Sequence, residues 1–357
     1  MRVVEVNGYY FPYHGGIEQR INEISKRLAR RHEVTIVTSR LPGTSAEEDI
    51  DGCRVIRLDS KFVKIYNPPY VDTPGLMRRL NELKPDVVDF HYRWGLTYAD
   101  AVRRYDGKKV FTYHNTFGEG AGPSRAFSIL NDELFMRSLR FCDRIVCVSE
   151  FVMRDLSGRG INPAKIVAVP NGVELADHAD DGEDDFILFV GRLVSTKGLV
   201  YLIKAMRQIE TKLIVCGEGP ELGRLKRLVA RYALNERVTF AGRVSSELRD
   251  KLMSTCKVFV MPSVFESYGI AVAEAMSHGR PIVACRVGGL PDVVQDAGFL
   301  VPPKDANALA AGVNRLLSDA GKRRELGHRA QQLSRDYSWE KAAEDMERIY
   351  SVIAGVG

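Results

Sequence analysis

Residues 257–285, KVFVMPSVFESYGIAVAEAMSHGRPIVAC, decide the fold. The apolar runs 257–261 and 281–285 read as buried strands, and the segment between them turns at Ser267-Tyr268-Gly269 and enters a helix. Two apolar strands joined through a helix make a parallel unit covered on both faces. Glu266 stands in the loop at the carboxyl end of the first strand, where open α/β sheets collect their ligands. Glu274 follows it after seven residues, an E-x7-E spacing. A helix beginning near Gly269 turns free backbone N–H groups toward hydroxyls or developing negative charge. Glu274 on its first turns then suits a ribose diol, and Glu266 a sugar hydroxyl. The spacing alone fits an ordinary helix-face carboxylate equally well.

The same alternation runs outward in both directions. Toward the C-terminal side lie 186–190, 212–216, 237–241, 257–261, 281–285 and 299–301; toward the N-terminal side lie 2–7, 34–39, 54–58, 87–92, 109–114, 144–149 and 166–169. Amphipathic segments separate several of them, as in 17–31 with Ile21, Ile24 and Leu28 at helical spacing. Two such series predict an α/β protein of two doubly wound, Rossmann-like domains with parallel sheets facing an interdomain cleft, and the cleft is the expected site. A length of 357 residues suits two domains, each with its own core. The break is expected near 170–185, where Pro170-Asn171-Gly172 is turn chemistry and the acidic stretch 177–185 cannot pack a core. Helices are expected over 306–317 and 339–353 after the second series.

Composition narrows the class. Hydrophobic residues make up 45% and charged ones 27%, the balance of a soluble globular chain. No run nears the ~18 apolar residues of a membrane span, and the N-terminal MRVVEVNGYYFPYHGG reads as a first strand, not a signal peptide. The six cysteines are scattered with no CxxC pair, which fits reduced core thiols in a cytoplasmic protein. Residues 1–170 hold 26 Lys+Arg against 21 Asp+Glu, and the remainder is balanced. Basic clusters at Lys26, Arg27, Arg30 and Arg31 and at Arg103, Arg104, Lys108 and Lys109 suit an anionic acceptor or the inner face of a membrane, or simply a solvated helix face. No nucleic-acid partner is expected.

Further candidates sit at strand ends. In 189–202, FVGRLVSTKGLVYL, a strand ends at Gly191, Arg192 follows, and Lys197-Gly198 opens a helix. One Arg and one Lys converging there could neutralise a leaving nucleoside diphosphate, although either alone is commonly a solvated charge. Gly15-Gly16 precede the 17–31 helix, letting backbone approach a phosphate or sugar, or forming a plain turn. His114 ends a strand and could touch reacting groups. GEGPELG (217–223) resembles a dinucleotide fingerprint with one residue too many, and Pro220 suits a first helical turn. The next strand ends without the acid that would hold an adenosine ribose. Asp49-Ile50-Asp51 is a DxD in a polar segment with no strand to aim it, so it reads as solvated loop and no metal ligand is expected.

Taken in order, these segments resemble the GT4 family of GT-B glycosyltransferases. The resemblance rests on Gly15-Gly16, Val169-Pro170-Asn171-Gly172-Val173, Gly191-Arg192-Leu193 with Lys197-Gly198, Gly217-Glu218-Gly219-Pro220, and the E-x7-E segment followed by Gly279-Arg280-Pro281-Ile282-Val283. It covers nearly the whole chain. It implies retaining, metal-independent transfer of a sugar from a nucleoside diphosphate sugar to a hydroxyl acceptor, with no other cofactor and no enzyme nucleophile. It further implies that Arg192 and Lys197 neutralise the diphosphate, Glu274 holds the ribose, and Glu266 binds sugar hydroxyls. Backbone of Ser267, Tyr268, Gly269 and Ile270 would surround sugar and phosphate, with Gly191, Gly217 and Gly219 in the adjoining loops. Gly16, with Gly15, would close on the diphosphate, and His114 would lie near the transferred sugar. Many members carry Gly-Phe where this chain has Ser267-Tyr268, which leaves the identity of the sugar open. Domains are expected at 1–172 and 173–337, with 338–357 crossing back to the first. Two alternatives are a nucleotide-sugar epimerase of the same fold and a catalytically silent sugar-nucleotide-binding protein.

Overall fold

The computed structural model describes residues 1–64, 69–118, 123–176 and 182–356. It divides into two compact units, Met1–Gly172 with Trp339–Gly357, and Val173–Ser338. The 177–181 part of the acidic stretch lies outside the described residues.

The first unit runs β1 (Arg2–Val6), α1 (Gly16–Leu28), β2 (Glu33–Ser39), β3 (Glu47–Ile50), β4 (Cys53–Leu58), β5 (Lys61–Val63), β6 (Tyr70–Asp72), α2 (Leu76–Leu83), β7 (Val87–Phe90), α3 (Leu96–Arg104), β8 (Lys109–Tyr113), α4 (Pro123–Leu139), β9 (Arg144–Cys147), α5 (Glu150–Gly158) and β10 (Ile166–Ala168). Its main sheet has the order β10-β9-β8-β7-β1-β2-β4-β3. Every pair is parallel except β3 with β4. β7 and β8 are buried at every position, as strands covered on both faces must be.

The second unit runs β11 (Asp184–Val190), α6 (Leu199–Ala205), β12 (Lys212–Cys216), α7 (Leu222–Arg231), β13 (Val238–Gly242), α8 (Ser246–Thr255), β14 (Cys256–Met261), α9 (Ile270–Ser277), β15 (Ile282–Cys285), α10 (Leu290–Val294), β16 (Gly298–Val301), α11 (Ala306–Leu317) and α12 (Ala320–Ser334). Its wholly parallel sheet has the order β13-β12-β11-β14-β15-β16, the doubly wound order in which the chain reverses direction beside its first strand. The last helix, α13 (Trp339–Ala354), belongs to the first unit. Its Trp339, Ala342, Ala343, Met346 and Tyr350 enter one core with Ile21, Ile24 and Leu28 of α1 and Val3, Val34 and Val55 of the sheet.

The apolar runs read as strands all form strands, with ends moved by at most two residues. Three other readings need correction. The DxD segment is not a plain solvated loop: Asp49 and Ile50 lie in β3, a hairpin partner of β4, and Asp51-Gly52 form its turn at φ 53° and 79°. Asp-Gly takes a two-residue turn with both φ values positive, and that turn pairs the flanking residues antiparallel. After this hairpin the chain forms the small antiparallel pair β5–β6. A third helix, α12, stands between the two expected at the C-terminal end, and its buried Arg323 is fastened to Glu183 at 2.6 Å. Pro220 sits in the turn before α7 and not in its first turn.

The basic clusters are largely neutralised inside the first unit. Lys26 pairs with Glu23, Arg27 with Glu23 and Glu340, and Arg31 with Glu347. Arg104 pairs with Asp100, and Lys109 donates to the Tyr105 carbonyl. All six cysteines are free and buried. Among the described residues no helix is long and apolar enough to cross a membrane.

Candidate functional site

In the second unit the switch point lies between β11 and β14, and the loops leaving those strands carry Arg192, Lys197 and Glu266. Parallel strands leave their C-terminal backbone groups at one edge, so the loops there must satisfy one another. They do so by a set of cross-loop bonds: Gly191 N–H to Cys216 O, Leu193 N–H to Glu218 O, Val264 N–H to Thr196 O, and Gly289 N–H to Glu266 O. Two glycines make the closest approaches possible. A Cβ on Gly288, at φ 53°, would stand 1.6 Å from the Glu266 carbonyl oxygen, and one on Gly198, at φ 65°, 2.0 Å from that of Pro262. Gly217 and Gly219 likewise give up their side-chain space to the carbonyls of Gly191 and Leu193. Loop packing alone therefore accounts for both.

Within this frame Lys197 donates to Glu266 Oε2 at 2.5 Å, and Ser263 donates to the same oxygen at 3.3 Å. Glu266 Oε1 accepts no hydrogen bond from the described residues. The pair is mostly shielded, with Lys197 22% and Glu266 11% exposed. Arg192, in the same loop as Lys197, is exposed and makes no side-chain bond among the described residues. Helix α9 starts at Ile270 with Gly269 as its N-cap at φ 104°, and its first turn has no side-chain cap. Glu274 lies on its second turn and faces Arg249 at 3.5 Å. The Tyr268 ring is buried edge-on against Tyr337, so this residue offers a ligand its backbone. Ser267 is in the same turn.

In the first unit the switch point lies between β1 and β7. Gly15 is the N-cap of α1 and Gly16 its first residue. Over that helix end folds the Glu18 carboxyl, which accepts from Asn7 Nδ2 at 3.1 Å; a Cβ on Gly15 would meet its Oε2 at 2.5 Å. Burial pushes Glu18 up to about 7. An internal acid thus already serves the helix end assigned to the donor diphosphate. Arg20 of α1 is fully buried and donates to Pro170 O and Asn171 Oδ1, which gives the Pro-Asn-Gly motif a structural purpose.

His114 follows β8 directly and is 8% exposed. Its Nε2 lies 2.8 Å from His91 Nδ1, and His91 Nε2 lies 2.6 Å from Glu5 Oε2. Tyr350 of α13 bridges Glu5 Oε1 at 3.1 Å and Asp89 Oδ2 at 2.7 Å, and Thr112 donates to the same Asp89 oxygen. Burial lifts Glu5 to about 7 and Asp89 to about 6, while it lowers His91 to about 4 and His114 well below the usual histidine value. Burial therefore favours the neutral form of both rings. Arg93 lies next in the chain to Tyr92, bonded to Asp132 at 2.6 Å and Asn115 at 2.8 Å. Glu5, Asp89 and His91 each bring a ligand atom within 4.8 Å of the others. Two ligands of a tetrahedral ion stand about 3.4 Å apart when each is ~2.1 Å from it. The 2.6 Å between Glu5 and His91 is instead the length of a hydrogen bond.

None of Glu5, Asn7, Glu18, His91 or Arg93 was singled out from sequence. The available signal was an acid inside the apolar run RVVEV and a histidine after VVDF, both at positions where a strand buried on two faces has no solvent to offer.

Two family models match in succession, "Glycosyltransferase Family 4" over residues 14–177 and "Glycosyl transferases group 1" over 173–333. The chain is 27% identical over 360 residues to an uncharacterized glycosyltransferase of Methanocaldococcus jannaschii, covering 97% of each. Sucrose-phosphate synthase of Thermosynechococcus elongatus superposes with a TM-score of 0.84 at 23% identity, covering all of both chains. Anabaena HepE, solved in complex with UDP-glucose, superposes with a TM-score of 0.77 at 18% identity over 99% of this chain and 100% of that one. With this fold and these matches, the chain belongs to the GT4 family of glycosyltransferases and has the GT-B fold.

Proposed function

We propose that the enzyme moves a sugar from a nucleoside diphosphate sugar to a hydroxyl acceptor, with retention at the anomeric carbon and without a metal ion. The observation that carries this reading is the Lys197–Glu266 pair at the switch point of the second unit, with Arg192 in the same loop as Lys197. UDP-glucose is bound by the structurally similar Anabaena protein, which supports a donor of that class. The carbon–oxygen bond to the donor phosphate breaks with its electron pair going to the diphosphate, where Lys197 and Arg192 offset the new charge. The acceptor hydroxyl attacks on the same face, and its proton passes to the departing phosphate oxygen. Glu266 Oε1 takes a sugar hydroxyl while Oε2 keeps Lys197 in place. Glu274 takes the ribose diol. The N–H groups of Gly269 and Ile270, with the Ser267 and Tyr268 backbone, line sugar and phosphate, and Gly191 borders the diphosphate. The family resemblance assigns Gly16 to the diphosphate and His114 to the sugar. The acceptor is a lipid-linked, glycan or small-molecule hydroxyl.

The test is proton NMR of α-linked uridine, guanosine and adenosine diphosphate sugars incubated with the enzyme in EDTA, with and without a panel of hydroxyl acceptors. The reading expects one donor to be consumed only when an acceptor is present, giving an α-linked product. A β-linked product contradicts retention, and an absolute need for a divalent cation contradicts metal independence. Isomerisation of a donor alone would make the enzyme an epimerase, and donor binding without turnover a binding protein.

A further inference from the structure

The buried network behind His114 has a definite hydrogen count. Tyr350 has one hydroxyl hydrogen and touches two carboxyl oxygens, Asp89 Oδ2 at 2.7 Å and Glu5 Oε1 at 3.1 Å. Thr112 also donates to Asp89 Oδ2, and burial raises Asp89 less far than Glu5, to about 6 against about 7, so Asp89 is the ionised, accepting end. If Tyr350 donates to Asp89, its contact with Glu5 is a hydrogen bond only when Glu5 Oε1 carries the hydrogen. Two fully buried acids sharing one phenol make that arrangement the favoured one, because two bare carboxylates there would repel. Glu5 Oε2 is then a carbonyl oxygen, and it accepts from His91 Nε2. A neutral ring has one hydrogen, so His91 Nδ1 must accept, and His114 Nε2 must donate to it. With Asp89 ionised and holding the Tyr350 hydrogen, reversing the chain places the Glu5 hydrogen on Oε2 and leaves the contact between Glu5 Oε1 and Tyr350 with no hydrogen in it. The forward direction satisfies one more buried contact, and a buried contact left unmade is costly.

We infer that Glu5, Asp89, Tyr350 and His91 act together as positioning residues that lock His114 as its Nε2–H tautomer, presenting Nδ1 as an acceptor for a hydroxyl of the transferred sugar. The direction of this bond has a chemical consequence. A sugar hydroxyl that donates to Nδ1 keeps its oxygen lone pairs for other donors, whereas the opposite tautomer would demand one of them. The role given to the sugar rests on the proposed function; the tautomer rests on the network alone. The unusual feature is that the lock is closed by the C-terminal helix: Tyr350 lies 345 residues from Glu5 and 261 from Asp89 in sequence.

The experiment is two-bond ¹H–¹⁵N correlation on full-length protein carrying ¹⁵N-histidine, with the His114 signals assigned by His114→Gln. His114 is expected to carry hydrogen on Nε2 and none on Nδ1. A hydrogen on Nδ1 overturns the inference. His91→Phe is expected to lose this preference and to lower kcat about tenfold or more, the cost of one misdirected hydrogen bond, with the donor KM unchanged. Glu5→Gln, whose amide reproduces the neutral acid, is expected to keep the wild-type tautomer. This covers the case in which His91→Phe does not fold, since loss of the tautomer in Glu5→Gln also overturns the inference. Loss of the tautomer in His91→Phe with kcat unchanged overturns the contact to the sugar. A wild-type enzyme that transfers no sugar from any donor contradicts the proposed function, while the NMR result still decides the tautomer.

Discussion

Lys197→Ala is expected to lower kcat for sugar transfer by about 10²–10³-fold, the usual cost of removing one preorganised group that meets developing charge. The lysine is positioned before any chemistry, because its ammonium is held at 2.5 Å by Glu266 and its loop is tied through Thr196 to the loop of Val264. A charge that need not reorganise as the bond breaks contributes more than one recruited from solvent. The loss should fall on kcat more than on the donor KM, since the diphosphate gains negative charge only in the transition state. Removing Lys197 also leaves the shielded Glu266 carboxylate with Ser263 alone. Steady-state kinetics alongside a melting curve separates the two effects. A fall in melting temperature with kcat intact would assign Lys197 to stability and not to the leaving group.

The second large effect concerns stability and its pH dependence. Glu5→Gln is expected to stabilise the protein relative to wild type at pH 8 by on the order of 3 kcal/mol, and to give no such gain near pH 4. Burial raises the Glu5 carboxyl from 4.5 to about 7. Between those values the folded protein holds a proton that the unfolded chain has released, so stability contributed by this group is complete below about 4.5 and declines as pH rises through 7. Each pKa unit corresponds to about 1.4 kcal/mol, which sets the size. Glutamine cannot ionise, so the decline is absent from the variant. Subtracting the two curves removes the opposite slopes of His91 and His114, whose lowered values make stability rise with pH in the acid range. Denaturant titrations from pH 4 to pH 8 measure the difference. A constant difference across that range would show that Glu5 is ionised throughout.

What could be read from the sequence divides by the range of the interaction that makes it. β12 was legible to the residue because KLIVC is a continuous apolar run, and a strand buried on both faces has no other pattern to show. The loops carrying Arg192, Lys197 and Glu266 were legible because each follows such a strand, and the doubly wound order then brings their loops together. The β3–β4 hairpin was missed although Asp51-Gly52 announces it, because four acids within residues 47–51 were read as solvated loop before the turn was considered. Helix α12 was missed because its core face is interrupted by Arg323, a charge that is buried against Glu183 and the carbonyls of Leu316 and Leu317. The network behind His114 joins residues 86 and 345 positions apart, and periodicity in a local window has no access to such pairs. Sequence located His114 at a strand end; only the fold shows what stands behind it.

The central claim, that Arg192 and Lys197 neutralise a donor diphosphate without help from a metal, has one direct measurement. Calorimetric titration of UDP, GDP and ADP in EDTA, each beside its nucleoside, is made on wild type and on the Arg192→Ala/Lys197→Ala double variant. The account predicts that one diphosphate binds wild type, that the double variant binds it at least about 100-fold more weakly, since two charge-assisted contacts are lost, and that the nucleoside binds both proteins equally. Equal affinity of the two proteins for that diphosphate, or binding that appears only when a divalent cation is restored, would contradict it.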